Sequence, residues 1–272
     1  MKLMGFQPLS VTSLPLNYKQ ILLFLSYLHI KGLAPATITT YLSAIGYVHK
    51  AYGVYDPTSR FLVQKVLSSI NKLQGCKDSR LPITLVVLHK LVDSIDKMSF
   101  PLYQSHLLKA MFLFAFYGLF RVGEITVQKS GEISLFLRHL TILDNCVQVQ
   151  ITNFKNNKTS KPFDIVIHKQ GGPYCPFIAL LKYLSVRGYD DGPLFRFING
   201  SPVSRFFFTS KLKDCISFSG LNPKLFKSHS FRIGSASHLA SIGKSDLQIK
   251  LLGRWNSDSF LRYIRKQKFN IF

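Results

Sequence analysis

The sequence predicts a mainly α-helical protein with a small antiparallel β-sheet, built as a helical N-terminal domain followed by a larger α+β domain. Apolar residues recur at helical spacing over most of the chain, and two short segments alternate apolar with polar residues. A polar, basic stretch bounded by Gly75 and Pro82 separates the first third from the rest. We therefore place the domains at residues 1–76 and 83–272, with a linker at 77–82.

The N-terminal domain is predicted to contain three helices. The first has apolar residues at helical spacing between Ile21 and Leu28 and stops before Gly32. The second starts at Pro35, because proline suits the first turn of a helix, and the third starts near Pro57. The expected apolar stripe of the second helix is Ile38, Tyr41, Leu42, Ile45 and Val48. The third helix carries Phe61, Leu62, Lys65, Val66, Ile70 and Leu73.

The second domain is predicted to combine helices with a β-hairpin. Helices are expected at about 84–95 and 103–120, and again from Pro176 onward. Ser245 and Gln248 can form a capping box, and Gly253 is a plausible helix stop. Two alternating strands should flank a turn that contains Asn156-Asn157, with their apolar residues at Val147, Val149, Ile151, Phe163, Ile165 and Ile167.

Net charge is the strongest compositional signal. The chain has 35 Lys and Arg against 13 Asp and Glu, a formal net charge of +22. Such an excess repels itself unless an anionic partner neutralises it, and the phosphate backbone of nucleic acid is the usual partner. Binding to a membrane surface would favour a single basic amphipathic helix, whereas this charge is spread along the whole chain. We expect a nucleic-acid partner and no membrane.

The cysteines argue against a zinc site and against a disulfide framework. They are far apart and form no Cys-x-x-Cys pair, which fits a reducing compartment: Cys76, Cys146, Cys175 and Cys215. The N-terminus contains no apolar run long enough for a signal peptide. We expect a protein that is not secreted and that works in the nucleus if its host is a eukaryote, and otherwise in the cytoplasm.

Arg121 is the first candidate functional residue. It directly follows an apolar segment, 111–120, so it begins in or beside the core. A buried or half-buried arginine needs an anionic partner. Glu124, three residues later, either forms a purely structural ion pair with Arg121 or orients Arg121 toward a ligand.

Two further patterns could handle a phosphate. His229 and Arg232 are neighbours on one helix face, although the same spacing also occurs as a surface pair in a plain helix-turn-helix. Tyr263 lies between Arg262 and Arg265, whose positive potential lowers the cost of forming a phenolate. A tyrosine at helical spacing can equally be a core residue with a surface hydroxyl. Its short helix is expected to be capped by Asn256, Ser257 or Asp258.

The ordered set of motifs is more specific than any one of them. Arg121 with Glu124, a lysine on a hairpin, His229-x-x-Arg232, Gly253-Arg254-Trp255 and then Tyr263 together resemble the tyrosine recombinase (phage integrase) family over almost the whole chain. Residues 18–53 look like that family's helical core-binding, SAM-like domain, and the remainder looks like its catalytic domain. The motif Gly-Arg-Trp-x-Ser-Asp-x-Phe-x-x-Tyr most resembles recombinases of Crypton and DIRS mobile elements.

The resemblance implies a mechanism and a role for each matched residue. Tyr263 would attack a DNA phosphorus, while the guanidinium groups of Arg121 and Arg232 would stabilise the charge that develops on the phosphate oxygens. Lys155 would protonate the leaving 5′-oxygen, with Lys158 as the alternative, and Lys161 is a third lysine on the hairpin. The remaining roles are proton movement by His229, phosphate contact by Trp255 and orientation of Arg121 by Glu124.

The family pattern also implies partners and cofactors. It implies double-stranded DNA as the substrate, a homo-oligomer, a tetramer by family analogy, and neither metal nor ATP. Trp255 stands where many members of the family have a histidine, which favours positioning over proton transfer at that residue.

Several other classes of function fit the sequence less well. A metal-dependent transposase or nuclease needs clustered carboxylates, and no ligand motif occurs among the 13 acidic residues. A Gly-x-Ser-x-Gly elbow and a phosphate-binding P-loop are also absent from the sequence. Two alternatives stay open, namely a catalytically silent DNA-binding protein derived from a mobile element and an enzyme resembling type IB topoisomerases.

Overall fold

The computed structural model divides into two compact units, Met1–Asp78 and Ser79–Phe272. Helices dominate both units, and the second also contains a small antiparallel sheet, so the predicted fold class is confirmed. No helix in the described part of the chain combines the length and the apolar character needed to cross a bilayer. The structure describes residues 14–73, 79–127, 131–152, 154, 157 and 161–264.

The described residues of the first unit contain the three predicted α-helices. The Asn17 side chain accepts a hydrogen bond from the backbone N–H of Lys19, while the Asn17 N–H donates to the side chain of Gln20. These bonds start the first helix, which ends before Gly32, whose φ of +71° suits glycine. The helices are α1 (Tyr18–Ile30), α2 (Pro35–Ala51) and α3 (Phe61–Leu73).

The buried face of α2 differs in part from the predicted stripe, and α3 starts later than predicted. In α2, Ile38 and Leu42 are buried as predicted, but Tyr41 and Val48 are exposed. The expected start of α3 near Pro57 was wrong, because Asp56 caps a separate 3-10 turn, Pro57–Ser59. The buried residues of α3 are Val63, Leu67 and Ile70, while Phe61, Leu62 and Leu73 are exposed.

The second unit is built around α5, whose C-terminal half is enclosed. Every residue of this helix from Ala110 to Phe116 is buried, and the helix packs against α4, α7 and α9. This burial agrees with the continuous apolar run in its sequence. The helices of the unit are α4 (Leu85–Lys97), α5 (Leu102–Tyr117), α6 (Val122–Ile125), α7 (Pro176–Arg187), α8 (Arg205–Phe218), α9 (Ser230–Ser241) and α10 (Asp246–Leu252).

The sheet has three antiparallel strands in the order β1-β2-β3. The predicted hairpin is confirmed as the pairing of β2 with β3, in a register that sets Val149 opposite Ile165. The sequence did not predict β1, which has only three residues, of which Thr141 and Ile142 are exposed. Of the predicted turn, Asn156 lies outside the described residues. The strands are β1 (Leu140–Ile142), β2 (Cys146–Ile151) and β3 (Phe163–His168).

One close contact fixes α9 to the start of the second unit. The N–H of Ile83 donates to the carbonyl of Ser230 at 3.0 Å, so the chain at residue 83 runs against the first turn of α9. A Cβ atom built on Gly234 would lie 1.8 Å from the carbonyl oxygen of Ile83. Only glycine fits at this position, and the contact holds the helix that carries Arg232.

Candidate active site

Arg121 and Glu124 form the ion pair that their spacing predicted. Arg121 immediately precedes α6, and its Nη1 donates to Oε1 of Glu124 at 2.8 Å. Its backbone N–H donates to Oε2 at the same distance. Glu124 is buried, whereas the side chain of Arg121 is 21% exposed. The carboxylate therefore holds the guanidinium in place while leaving part of it accessible to a ligand.

Arg254 is a second partner of Glu124, and no pattern in the sequence had assigned it a role. Its Nη2 donates to Oε2 of Glu124 at 2.8 Å and to the carbonyl of Leu119 at 3.1 Å. The residue is buried, and its backbone has a φ of +55°, a conformation that non-glycine residues rarely adopt. Its position within the Gly-Arg-Trp motif was the one signal in the sequence.

The charges around Glu124 favour its ionised form. Burial by itself would raise the pKa of this carboxyl, but the guanidinium groups of Arg254 and Arg121 outweigh burial and hold the pKa below its ordinary value. Burial lowers the pKa of Arg254, and Glu124 opposes that change. The ionised carboxylate is thus the electrostatic anchor of this part of the site.

We expect the free energy of unfolding to depend on Glu124 in a definite pH window. Because the folded pKa lies below the unfolded value of about 4.5, this carboxylate stabilises the protein above that pH, and the contribution disappears as pH falls through the folded pKa. The Glu124→Gln variant should be less stable than wild type at pH 7 by about 3 kcal/mol or more, because it leaves buried guanidinium groups without an anion.

The measurement is thermal unfolding of both proteins between pH 3 and pH 7. The gap in Tm should narrow steadily as the pH is lowered below 4.5. Asp164→Asn is a suitable control, since Asp164 lies on an exposed position of β3. A gap that stays constant with pH would show that Glu124 is not ionised in the folded state.

Arg232 is the most deeply buried of the site residues, at 1% exposure. Its Nη1 donates to the carbonyl of Leu119, and its Nη2 donates to the carbonyl of Gly253 at 2.7 Å. Within the described part of the chain, its Nε has no hydrogen-bond partner. Burial, followed by the nearby charge of Arg121, lowers the pKa of Arg232 to about 9. The guanidinium is therefore still protonated at neutral pH.

Trp255 covers one face of Arg232. The Cζ of Arg232 lies 4.3 Å from the centre of the indole ring, a distance at which a cation is attracted to the ring face. Gly253 ends α10, as predicted, and a Cβ there would lie 1.6 Å from the ring of Trp255. The left-handed residue after this helix is Arg254, so Gly253 is needed for close packing and not for its own backbone angle.

Tyr263 meets His229 directly. The hydroxyl of Tyr263 is hydrogen-bonded to Nε2 of His229, the residue just before α9. The expected short helix is a 3-10 turn, Asp258–Arg262, capped by Ser257, and Tyr263 follows it. The hydroxyl of Ser237 donates to the Tyr263 carbonyl at 3.0 Å. This contact joins the segment after the turn to α9.

The structure brings the sequence-predicted residues into one connected cluster. Tyr263 contacts His229 and also Trp255, whose ring centre is 5.3 Å away, and Trp255 covers Arg232. Arg232 shares the Leu119 carbonyl with Arg254, which reaches Arg121 through Glu124. Lys155, Lys158 and Arg265 lie outside the described residues. Among the residues that the structure describes, no group of three His, Cys, Asp or Glu side chains could hold a metal ion.

The chain is similar to known proteins both in sequence and in fold. No family model matches the chain. It is 25% identical to an integrase/recombinase XerD homolog of Selenomonas ruminantium over 96% of this chain and 76% of that protein. Its fold matches a λ integrase dimer bound to a core site, with a TM-score of 0.60, 17% identity and coverage of 97% of this chain and 84% of that one.

Two further structures extend the likeness. The Tn1549 transposon integrase, in complex with circular intermediate DNA, matches with a TM-score of 0.63, 12% identity and coverage of 94% of this chain and 83% of that one. The XerH recombinase, in a post-cleavage complex on a palindromic difH substrate, matches with a TM-score of 0.60, 17% identity and coverage of 93% and 67%. The chain therefore has the fold of these recombinases and integrases, and its sequence is similar to that of the XerD homolog.

Proposed function

We propose that this chain is a site-specific DNA recombinase that cuts and rejoins double-stranded DNA through a 3′-phosphotyrosyl intermediate. The observation that carries the proposal is the hydrogen bond between Tyr263 and His229, beside the buried cation of Arg232. A tyrosine nucleophile, a nearby base and fixed cations are the parts that phosphoryl transfer requires. The formal charge of +22 suits a DNA substrate.

The first step would transfer a phosphoryl group from DNA to the protein. The Oη of Tyr263 forms a bond to phosphorus, and the bond between phosphorus and the 5′-oxygen breaks. His229 takes the phenol proton when its Nε2 is unprotonated, and Lys155, or Lys158 in its place, gives a proton to the leaving 5′-oxygen. In the second step a 5′-hydroxyl of the partner strand attacks the same phosphorus and releases Tyr263.

Arg121 and Arg232 would stabilise the charge on the nonbridging phosphate oxygens. They reach the phosphate differently, because the side chain of Arg121 is 21% exposed whereas Arg232 is 1% exposed. A phosphate can approach Arg121 directly, but it reaches Arg232 only after the surrounding groups move. Trp255, which covers that guanidinium, would support the phosphate-bound arrangement through its indole N–H.

The test is formation of a covalent adduct on nicked suicide DNA. The cleaved fragment next to the nick diffuses away, so the phosphotyrosyl product accumulates and migrates slowly on a denaturing gel. We expect an adduct in the presence of EDTA, because neither step needs a metal. Candidate DNA sites come from the sequences that flank the gene. An adduct that disappears on chelation would overturn the metal-independent mechanism.

The same assay separates the two alternative functions. A catalytically silent binding protein would retard the DNA on a native gel but give no adduct on any site that it binds. An enzyme resembling type IB topoisomerases would form the adduct and relax a supercoiled plasmid without joining strands from two different duplexes. Exchange of strands between two labelled duplexes supports recombination.

We also propose finer assignments that rest on sequence pattern and family analogy. Residues 1–76 would form the core-binding domain, 77–82 the linker and 83–272 the catalytic domain. The motif that begins at Gly253 and ends at Tyr263 supports a recombinase of the Crypton or DIRS kind, which would work in the nucleus of a eukaryotic host. Assembly as a tetramer on DNA follows the family pattern.

A further inference from the structure

We propose that Arg254 is a positioning residue that holds the supports of both phosphate-binding arginines at once. The inference rests on the proposed function of the site. It starts from one atom, Nη2 of Arg254, which donates to Oε2 of Glu124 at 2.8 Å and to the carbonyl of Leu119 at 3.1 Å. The first acceptor also holds Arg121, and the second also holds Arg232.

The carboxylate of Glu124 cannot hold Arg121 equally well without Arg254. Its Oε1 accepts from Arg121 Nη1, while its Oε2 accepts from the Arg121 backbone N–H and from Arg254. Removing Arg254 would take a charged donor from a buried oxygen, and the carboxylate could then rotate toward a new partner. Since Arg121 depends on the same carboxylate, its guanidinium would lose its fixed direction.

The carbonyl of Leu119 links Arg254 to the other arginine. Leu119 has a φ of +46°, an uncommon conformation that turns this carbonyl toward the site, where both guanidinium groups donate to it. Two charge-assisted hydrogen bonds hold the strained peptide in place. Without Arg254, only Arg232 donates to the Leu119 carbonyl. One hydrogen bond in place of two holds the strained peptide less firmly, so the peptide can relax.

The surroundings of Arg254 fix its own position. Its Cζ lies 5.5 Å from the ring of Phe120, 6.0 Å from Phe154 and 5.9 Å from Phe163. Phe154 directly precedes Lys155 in the sequence, and Phe163 begins β3. Aromatic walls of this kind attract a guanidinium and leave it few other conformations. Arg254 thus also touches the base of the hairpin on which the general acid is expected.

The experiment compares Arg254→Met with Arg187→Met. Arg187 is a matched control, because it is as buried as Arg254 at 5% exposure and also donates to backbone carbonyls, but it contacts the loop after α7 and none of the site residues. Single-turnover cleavage at saturating suicide DNA, DNA affinity and Tm are measured for both variants. All rates are taken well below the Tm of each variant.

We expect Arg254→Met to slow cleavage by about 10²-fold, because misplaced catalytic groups lose orientation, while its DNA affinity stays within about threefold of wild type. Arg187→Met should lower Tm and leave the cleavage rate of the folded protein within about threefold of wild type. Arg254→Lys, which keeps the charge but not the fork, should recover part of the rate. The double variant Glu124→Gln with Arg254→Met should lose no more than the worse single variant, because both act through one carboxylate.

Three results would overturn the inference and leave the proposed function intact. These are a wild-type rate for folded Arg254→Met, a matching slow rate for Arg187→Met, and multiplied losses in the double variant. Absence of an adduct from the wild-type protein, on DNA that it binds, would instead reject the proposed function itself. The two failures are therefore distinguished by the wild-type lane of the same gel.

Discussion

The Tyr263→Phe variant is expected to form no covalent adduct with suicide DNA. The change removes only the Oη atom, which would become the leaving group of the second step and has no substitute in the phenylalanine ring. Removal of an enzymatic nucleophile costs on the order of 10⁴-fold or more, so the adduct band should disappear. DNA affinity and Tm should stay near wild type, because the ring still packs against His229 and Trp255.

A second tyrosine in the same unit provides the control. The hydroxyl of Tyr174 donates to the carboxylate of Asp93 at 2.9 Å. Asp93 lies on α4 and is not part of the candidate active site. Tyr174→Phe removes an equivalent atom and should keep the adduct at wild-type yield. An adduct that persists in Tyr263→Phe, mapped by mass spectrometry to another side chain, would reject the assignment of the nucleophile.

The Gly234→Ala variant is expected to show the largest loss of stability. The added Cβ would sit 1.8 Å from the backbone carbonyl oxygen of Ile83, and backbone on both sides of the contact cannot rotate away as a side chain can. Overpacking of this kind costs about 3 kcal/mol or more. In a domain of this size we expect Tm to fall by about 10 °C, or the protein to be recovered unfolded.

Unfolding of the second unit can be followed through its own fluorophore, since Trp255 is the single tryptophan of the chain. Gly171→Ala is the matched control, because a Cβ on Gly171 would meet no described atom within 4 Å and the φ of Gly171 is not in the left-handed region. Its Tm should stay within about 2 °C of wild type. Equal Tm values for Gly234→Ala and Gly171→Ala would show that α9 does not approach Ile83 as closely as the structure places it.

The sequence predicted the parts of the fold that short-range patterns determine. The alternation from Val147 to Ile151 gave the central strand, and the capping box at Ser245 gave the start of α10. The Arg121–Glu124 ion pair was predictable because its partners are three residues apart. In each case the residues that determine the local structure are separated by only a few positions in the sequence.

Features that depend on distant contacts were not predictable in the same way. Arg254 and Glu124 are 130 residues apart, and the inward direction of Arg254 depends on a left-handed backbone that a non-glycine residue seldom adopts. The start of α3 was misplaced because Asp56 caps a separate 3-10 turn, Pro57–Ser59, ahead of the helix. The requirement for glycine at 234 follows from the backbone of Ile83, 151 residues away along the chain, and no local pattern shows this contact.

The deep burial of Arg232 bears on the fate of the protein–DNA linkage in the proposed reaction. A phosphotyrosyl bond must survive until the correct strand arrives, and bulk water is its main competitor. A guanidinium with 1% exposure, covered by an indole ring, would activate phosphorus only where the solvent has been displaced. In the proposed reaction the chain would thereby conserve the bond for religation instead of losing it to hydrolysis.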